Sequence, residues 1–437
     1  MGQEGTGVAG SQRSAVTTVE DDSTRQAVEA VWRIESARII GALTRYTGDF
    51  ALAEDVAQEA LSEALVSWPR DGVPREPAGW LMSVARRRAI DSFRRRANRD
   101  QKYAQLAQDA DRQQDAGEDL LWDPDRIDDD RLALIMISCH PVLAKQARVA
   151  LTLRVVAGLS SEQIARAFLV PVPTIQARIT RAKKTLGAAR VPFELPPVEE
   201  RTERIGSVLN VIYLIFTEGS TASVGDEWMR ADLAQEAIRL GRSLAGLVPE
   251  EAETYGLLAL MELTAARFPA RRGPDGEPVL LEDQDRSRWD RSSIRRGRAA
   301  LARATAARSG LGPYGLQAAI AEQHAVAPTV PDTDWDRIVL LYEALGRVAP
   351  SPVVELNRAV AVSMALGPAA ALPIVDQLVA GDQLQGSYLL PSVRGELLSR
   401  MGRPAEARSE WELAARLCGN ERERDVLLRK ISGTASS

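Results

Sequence analysis

Residues 77–99 read PAGWLMSVARRRAIDSFRRRANR and place seven arginines in one predicted helix that also has an apolar stripe. Pro77 suits the first turn of a helix. Met82, Ala85, Ala89 and Phe93 recur at three- and four-residue steps, so one face of the helix can pack on a core. The opposite arc has five of the arginines, which are Arg87, Arg88, Arg94, Arg95 and Arg99.

This basic arc suits a phosphate backbone. Asp91 stands four residues from both Arg87 and Arg95, and this spacing predicts that its carboxylate braces the two guanidinium groups. The alternative is a solvated, salt-bridged helix face with no ligand.

The composition predicts a mostly helical globular protein of two to four domains. The chain has 437 residues, of which 45% are hydrophobic, 26% are charged and only 5% are aromatic. The two cysteines, Cys139 and Cys418, are far apart, so neither a disulfide framework nor a zinc site is expected. No metal and no cofactor are predicted. The longest apolar run, Val208–Phe216, is too short to span a bilayer, so a cytoplasmic protein without a membrane partner is expected.

The net charge of -5 conceals strong segregation along the chain. Residues 148–190 contain eight Lys or Arg and one acid, whereas residues 100–130 contain eleven acids and three bases. Such blocks predict a basic surface that binds an anionic partner and an acidic connector.

The pattern divides the chain into six segments. They are a disordered tail (1–21), a helical domain (22–99), an acidic linker (100–129), a second helical domain (130–190), a proline-rich linker (191–202) and a helical C-terminal domain (203–437).

In the first helical domain, FALAEDVAQEALSEALVSWP predicts a helix with an apolar face and an acidic, hydrogen-bonding face. Asp55, Gln58 and Glu59 lie on the second face. The alternative is that this face is ordinary solvent-exposed surface without a partner. The stretch Trp68–Glu76 is rich in proline and glycine and predicts a stiff loop before the arginine helix. Trp80 is either a core anchor or a platform for base stacking.

In the second domain, GLSSEQIARAFLVPVPTIQARITRAKKTL predicts a helix-turn-helix. Ser160 and Gln163 fit a capping box. In the second helix an apolar stripe is formed by Ile175, Ile179, Ala182 and Leu186. The free face and its flanks present donors to a major groove, from Thr174, Gln176, Arg178, Arg181, Lys183, Lys184 and Thr185. Cys139 and His140 lie before this motif, where a core or capping role is expected rather than metal binding.

AEDVAQEAL, PAGWLMSVARRRAID and the helix-turn-helix together resemble the bacterial RNA polymerase sigma factors of the extracytoplasmic-function (ECF) type, over residues 22–190. The resemblance implies a region-two domain and a region-four domain that read the −10 and −35 promoter elements on core RNA polymerase. It implies that Asp55, Gln58 and Glu59 contact the beta-prime clamp helices and that region four meets the beta flap. The promoter phosphates would be held by Arg86, Arg87, Arg88, Arg94 and Arg95, with the stretch Trp68–Glu76 offering a pocket for a flipped base. In the family, the connector threads the RNA exit channel. At the start of the recognition helix the family usually has a serine cap, whereas this chain has Pro171, Val172 and Pro173 there.

The C-terminal segment predicts a short helical solenoid. The spacing of Gly395, Gly402, Ala407, Trp411 and Ala414 fits a tetratricopeptide unit. The segment also contains LLEDQDRSRWD at 280–290. Together with GPYGLQAAIAEQHA, TDWDRI and PSPVVELNRAVAV, this block resembles the extension of one sigma-factor group with a tetratricopeptide-type C-terminal domain. Its polar residues predict either a buried network that fixes an interdomain contact or a loop-capping cluster; they are Asp283, Gln284, Asp285, Arg286, Arg288 and Trp289. An intramolecular or protein partner is therefore expected for this domain.

Two other functions fit less of the sequence. A helix-turn-helix repressor or activator with a sensing solenoid explains the basic helices but has no use for the acidic face at Asp55 and Glu59. An enzyme on a helical toroid would use carboxylates such as Asp283 and Asp285, yet the sequence contains no nucleophile and base pairing, no phosphate loop and no metal-spaced histidines.

Overall fold

The computed structural model describes residues 8–97, 127–168, 170–220, 230–271, 273, 279, 281–419 and 421–433. Over these residues it contains eighteen α-helices and no strand, which confirms the all-α prediction. The chain forms two compact units, residues 1–214 and residues 215–437, which are described separately. No helix of the described part is long and apolar enough to cross a membrane.

The first unit contains the two predicted DNA-binding domains. Its helices are α1 (Val8–Thr47), α2 (Phe50–Asp71), α3 (Pro77–Ala97), α4 (Ile127–Ser138), α5 (Lys145–Val155), α6 (Ser161–Ala167), α7 (Val172–Ala188) and the first part of α8 (Val198–Ser220).

Helix α1 includes residues 8–21, which the sequence assigns to a disordered tail. Between Ser11 and Thr47 the only helix breaker is Gly41, so nothing in the local sequence ends the helix before its buried half. That half contributes Trp32, Ile39, Ile40 and Leu43 to the core. Gly48, at φ 62°, then turns the chain, and the Asp49 side chain accepts a bond from Leu52 N–H to start α2.

The predicted loop at Trp68–Glu76 is shorter in the structure. Helix α2 continues through Pro69 to Asp71, and Trp68 is buried at 2% exposure. Pro69 is tolerated because it lies in the last turn, where the missing N–H costs the helix one bond. Gly72, at φ 83°, ends the helix and donates to Trp68 O, so only residues 72–76 form the connection to α3.

The acidic linker lies almost wholly outside the described residues. Helix α4 starts at Ile127, slightly before the predicted domain start at 130, and Asp128, Asp129 and Asp130 occupy its first turn. Carboxylates in that position interact favourably with the positive end of the helix dipole.

Helix α8 begins at Val198, inside the predicted proline-rich linker, and crosses the boundary between the two units at 214 and 215. In its first part, Arg204 donates to Met136 O at 3.2 Å and Ser207 donates to Cys139 O at 3.1 Å. Residues 203–214 therefore pack with the helix-turn-helix domain, whereas the sequence assigns them to the C-terminal domain.

The second unit is a series of paired helices. After the end of α8 they are α9 (Ala231–Leu247), α10 (Ala252–Ala265), α11 (Arg291–Ala306), α12 (Pro313–Val326), α13 (Trp335–Val348), α14 (Pro352–Leu366), α15 (Pro368–Ala380), α16 (Leu389–Arg400), α17 (Pro404–Leu417) and α18 (Glu421–Gly433).

The residues that predict a tetratricopeptide unit form a helix hairpin. Gly402, at φ 72°, turns the chain between α16 and α17. A Cβ on Gly395 would lie 2.6 Å from Trp411 Nε1, so only glycine lets α16 approach the indole this closely. Ala407, Trp411 and Ala414 are all buried in the same core.

Candidate promoter and polymerase interface

Helix α3 has the two faces that its sequence predicts. Met82, Ala85, Ala89 and Phe93 are buried, whereas Arg87, Arg88, Arg94 and Arg95 are exposed. Arg86 is partly buried, and Arg99 lies outside the described residues. Trp80 packs edge-on against Trp68, with ring centres 5.5 Å apart, as a core anchor does.

The bracing role of Asp91 is wrong. Among the ion pairs of the described residues, none joins Asp91 to Arg87 or to Arg95. Exposed helix pairs are worth only about 0.3–0.5 kcal/mol, which is too little to hold two long side chains in one geometry. Arg87 and Arg95 are consequently solvated cations that can meet a phosphate without first giving up a protein partner.

Arg88 behaves differently because helix α2 supplies it with carboxylates. Its Nη2 donates to Glu63 at 2.8 Å, and its Nε lies 3.8 Å from Glu59. The hydrogen bond to Glu63 raises the pKa of Arg88, and the charges of Glu63, Glu59 and Asp91 add to that effect. A predicted phosphate contact and a predicted polymerase contact, Arg88 and Glu59, therefore lie beside each other.

The helix-turn-helix is built as its sequence predicts. Ser160 and Gln163 form both bonds of the capping box, Gln163 N–H to Ser160 Oγ at 3.2 Å and Ser160 N–H to Gln163 Oε1 at 2.8 Å. The stripe of α7 from Ile175 to Leu186 is buried against α5 and α6. Pro171 begins α7 without a side-chain cap.

The donors of α7 are not equally available. Gln176, Arg181 and Lys184 are exposed, and Thr174, Arg178 and Thr185 are partly exposed. Arg181 Nε donates to Ala177 O of its own helix at 3.2 Å, and Thr185 donates to Arg181 O.

Lys183 points away from the predicted groove-facing surface. Its side chain is 15% exposed, and its Nζ binds Glu54 and also Asp55 at 2.8 Å on α2. Burial alone would lower the pKa of Lys183, but the charge of Glu54 and the hydrogen bonds to Asp55 and Glu54 outweigh burial and raise it. The prediction that Lys183 contacts DNA therefore conflicts with this arrangement, in which Lys183 joins the helix-turn-helix domain to the first helical domain.

Glu54 is the centre of this contact, and the sequence prediction missed it. Its side chain is 4% exposed and is also bonded to Arg154 Nε of α5 at 3.3 Å. One signal was present: on the wheel of α2, Glu54 lies on the same face as Ala57 and Leu61, where a charge needs a partner. We call Glu54, Asp55, Arg154 and Lys183 the interdomain ion cluster.

Two further contacts hold the same pair of domains together. Arg45 of α1 donates to both carboxylate oxygens of Asp130 at 3.0 and 3.2 Å. Gly158, at φ 70°, lies so close to α1 that a Cβ would be 2.8 Å from Ser36 Oγ. A cavity of about 770 Å³ remains between the α1–α2 turn and the end of α7, lined in part by Arg45, Lys183 and Arg190.

The predicted polymerase contacts share one side of α2. Asp55 and Glu59 keep more than half of their side chains exposed, at 62% and 52%, and Gln58 is partly buried. Two of these residues already have basic partners inside the chain, Lys183 for Asp55 and Arg88 for Glu59.

Cys139 and His140 serve the fold. Cys139 is buried and bonded to Thr152 and Ser138, and burial raises the pKa of its thiol. His140 Nδ1 accepts from Val142 N–H at 3.1 Å, and burial lowers its pKa. Within the described part of the chain, no group of His, Cys, Asp and Glu residues is arranged to hold a metal ion.

In the second unit, residues 280–290 include both buried and exposed polar side chains. Gln284, Arg286 and Trp289 are buried, whereas Asp283, Asp285 and Arg288 are exposed. Asp285 accepts from Ser287 N–H at 2.9 Å and caps a short 3₁₀ helix, Arg286–Arg288. The block thus contains both a capping cluster and a buried polar network, and the network binds residues of its own unit.

Three family models match parts of the chain. Residues 33–99 match Sigma-70 region 2, residues 133–186 match Sigma-70 region 4, and residues 204–305 match a family of unknown function (DUF6596). No solved structure matches the chain.

Three relatives cover different shares of the chain. An uncharacterized protein of Rhizobium meliloti is 46% identical over 91% of this chain and 93% of its own. An RNA polymerase sigma-H factor of Pseudomonas aeruginosa is 31% identical over 36% of this chain and 82% of its own. A probable ECF RNA polymerase sigma factor of Mycobacterium tuberculosis is 28% identical over 40% of this chain and 59% of its own. The chain therefore belongs to the sigma-70 family, as an ECF-type sigma factor with a helical C-terminal extension.

Proposed function

We propose that this sigma factor binds core RNA polymerase through the acidic side of α2 and directs initiation at promoters that α3 and α7 read at the −10 and −35 elements. The observation that carries the proposal is the combination, on one unit, of the exposed arginines Arg87 and Arg95 on α3, a capped helix-turn-helix and an acidic face at Asp55 and Glu59. A repressor or activator would need only the first two.

The proposal requires the two sigma domains to separate. The −10 and −35 elements are centred about 25 base pairs apart, which is roughly 85 Å of B-DNA. Helix α2 has 22 residues and so is roughly 33 Å long. Because α7 contacts α2 directly through Lys183, the recognition helix and α3 are too close to occupy both elements together.

We infer that polymerase competes with the interdomain ion cluster. Asp55, Gln58 and Glu59 are the proposed contacts to the beta-prime clamp helices, and Lys183 is bonded to Asp55 in the closed arrangement. If the clamp helices bind Asp55, Lys183 loses one of its two carboxylate partners. This loss would weaken the contact between α7 and α2 and favour the movement of α7 toward the beta flap and the DNA. The closed arrangement is thus proposed as the free state, which polymerase binding opens.

The test is the charge reversal Glu59→Lys. This change places a second cation beside Arg88 and should reduce core polymerase binding at least tenfold in a pull-down or fluorescence titration. Asp71→Lys is the matched control, because Asp71 is also an exposed acid of α2 but lies at its last residue. Equal binding by both variants would refute the assignment of the acidic face.

The C-terminal unit is proposed to modulate initiation within the same chain. Among the residues that the sequence singles out for such a contact, Asp283, Asp285 and Arg288 are exposed, whereas Arg286 is bonded inside its own unit. Asp283→Ala is therefore a cleaner test than a change at Arg286, whose loss would disturb the fold. Promoter-dependent transcription should change in Asp283→Ala while the thermal unfolding profile stays the same. Unchanged transcription would remove Asp283 from the proposed contact.

A further inference from the structure

The second unit gathers two arginines around one buried tryptophan. The guanidinium carbons of Arg267 and Arg286 lie 5.7 and 5.2 Å from the ring centre of Trp289, which is 3% exposed. Arg267 follows α10, Arg286 belongs to the 3₁₀ helix before α11, and His324 closes the group from the last turn of α12. Three separate segments thus converge on one place, which we call the arginine cluster.

Within the described part of the unit, the two arginines of this cluster have no directly paired carboxylate, whereas some other buried charges are paired with residues of opposite charge. Buried Glu262, for example, is bonded to both Arg242 and Arg296. In the described residues, by contrast, no carboxylate lies within ion-pair distance of Arg267 or Arg286. Burial lowers the pKa of Arg286, and the more distant charge of Asp332 offsets this effect only in part.

The partners of the cluster are neutral. Arg267 donates to Gln284 Oε1 at 3.3 Å, and Arg286 donates to the carbonyls of His324 and Ala327 at 2.9 and 2.7 Å. Two cations with only neutral acceptors are unfavourable in a partly buried site, because burial weakens their hydration.

The pKa values show the same imbalance. Burial lowers the pKa of Arg267 to about 10, and the neighbouring charges of Arg271 and Arg286 contribute. Burial also lowers the pKa of His324 to about 4, with further contributions from Arg267 and Arg286. At neutral pH the two arginines are charged and His324 is neutral, so the cluster carries net positive charge.

Donor atoms of the cluster are also left without acceptors. Arg286 Nε and Trp289 Nε1 are buried and have no hydrogen-bond partner, and both residues are more than nine-tenths buried. His324 Nδ1 is a third buried polar atom without a partner. A buried donor without an acceptor costs about 1–3 kcal/mol, so such a set is costly unless something fills it.

We propose that the arginine cluster binds a small oxyanion, the phosphate or carboxylate group of a small molecule. Planar guanidinium groups match such groups geometrically, and an oxyanion would supply both the missing negative charge and the missing acceptors. The C-terminal extension is then a ligand-binding unit as well as a helical scaffold. This site is independent of promoter recognition, and its binding is measured without polymerase or DNA.

The test uses the full-length protein and two probes, inorganic phosphate and acetate, at equal ionic strength with chloride as the reference anion. Binding is followed by isothermal titration calorimetry and by thermal unfolding. A site-bound anion at a hundredfold excess over its Kd should raise the Tm of the ligand-binding unit by roughly 5 °C. Phosphate acting alone identifies a phosphoryl ligand, and acetate acting alone identifies a carboxylate.

Arg267→Met is the informative variant, because the Arg267 side chain donates to Gln284, whereas the Arg286 side chain donates to His324, Ala327 and Thr333 and is more deeply tied into the fold. We expect it to reduce anion affinity at least tenfold and to leave the Tm without anion unchanged or higher, since it removes a repelled charge. Arg298→Met is the matched control on α11, where Arg298 is 57% exposed and paired with Glu322, and it should bind like the wild type.

Two results would overturn the proposal. One is the absence of any binding or Tm shift with both probes in the wild-type chain. The other is anion binding that is equal in the wild type and in Arg267→Met, which would place the anion elsewhere. A lower Tm of Arg267→Met without anion, together with no binding by the wild type, would assign the arginines a purely structural role.

Discussion

The interdomain ion cluster gives the sharpest prediction, which concerns Glu54→Gln. The change removes the charge of a carboxylate that is 4% exposed and leaves Arg154 and Lys183, at 18% and 15% exposure, short of negative charge. Removal of one partner from a buried ion pair costs about 3–5 kcal/mol. Lys183 keeps Asp55, which is 62% exposed and weakly held, so we expect a loss near the lower end, about 3 kcal/mol.

The assay is equilibrium urea unfolding of the full-length chain, followed by a signal from the first unit. Glu63→Gln is the matched control: the same substitution on the same helix, at a side chain that is 37% exposed and paired with exposed Arg88. It should cost less than about 1 kcal/mol. If the two variants lose the same stability, Glu54 is not the centre of a buried cluster and the reasoning fails.

The pH dependence of this cluster follows from the raised pKa of Lys183. A lysine whose pKa is higher in the folded state contributes stability that is complete below its unfolded pKa of about 10.4 and is lost as pH rises through the folded value. The difference between wild type and Lys183→Met should therefore be constant from pH 6 to 9 and shrink above about pH 10.5. A difference that shrinks below pH 9 would contradict this pairing.

Three further predictions concern DNA binding and the second unit. Arg87→Ala with Arg95→Ala should weaken promoter binding for all sequences and lower the log-log salt slope by about 0.7–0.9 for each lost phosphate contact, and an unchanged slope would exclude that role. Arg178→Ala and Arg181→Ala should each cost roughly 1–3 kcal/mol on the cognate −35 sequence and less on altered ones; equal losses on all sequences would make them phosphate contacts only. His324 has a folded pKa of about 4 against an ordinary value of 6.5, so its neutral form favours the folded state above pH 6.5 and that stability is lost as pH falls toward 4. The second unit should therefore lose up to about 3 kcal/mol over this range in thermal unfolding, and His324→Gln should lose less; an equal loss would point to another group.

Local patterns predicted most of the secondary structure and the faces of the DNA-binding helices. The stripe of α7 and the Ser160–Gln163 capping box depend on residues within one or two helical turns, and the structure has both. The stripe of α3, from Met82 to Phe93, is buried for the same reason.

The sequence did not predict interactions between residues that are distant in sequence, and it wrongly predicted an exposed ion pair whose free energy is small. Lys183 and Glu54 are 129 positions apart, so no periodicity in either helix reveals that they meet. Asp91 has a favourable spacing to Arg87 and Arg95, but an exposed pair gains too little free energy to determine a geometry. Arg267 and His324 become one cluster only when α10 and α12 pack together.

Transcription initiated in vitro is the most direct test of the central claim that this chain is a promoter-specific sigma factor. Core RNA polymerase plus the full-length protein would be supplied with a library of genomic fragments, and the 5′ ends of the transcripts sequenced. We predict defined start sites that share −10 and −35 sequences and that disappear when Glu59→Lys or Arg178→Ala with Arg181→Ala replaces the wild type. Binding of the protein to specific DNA without any start site that depends on it would contradict the account and favour a repressor or activator.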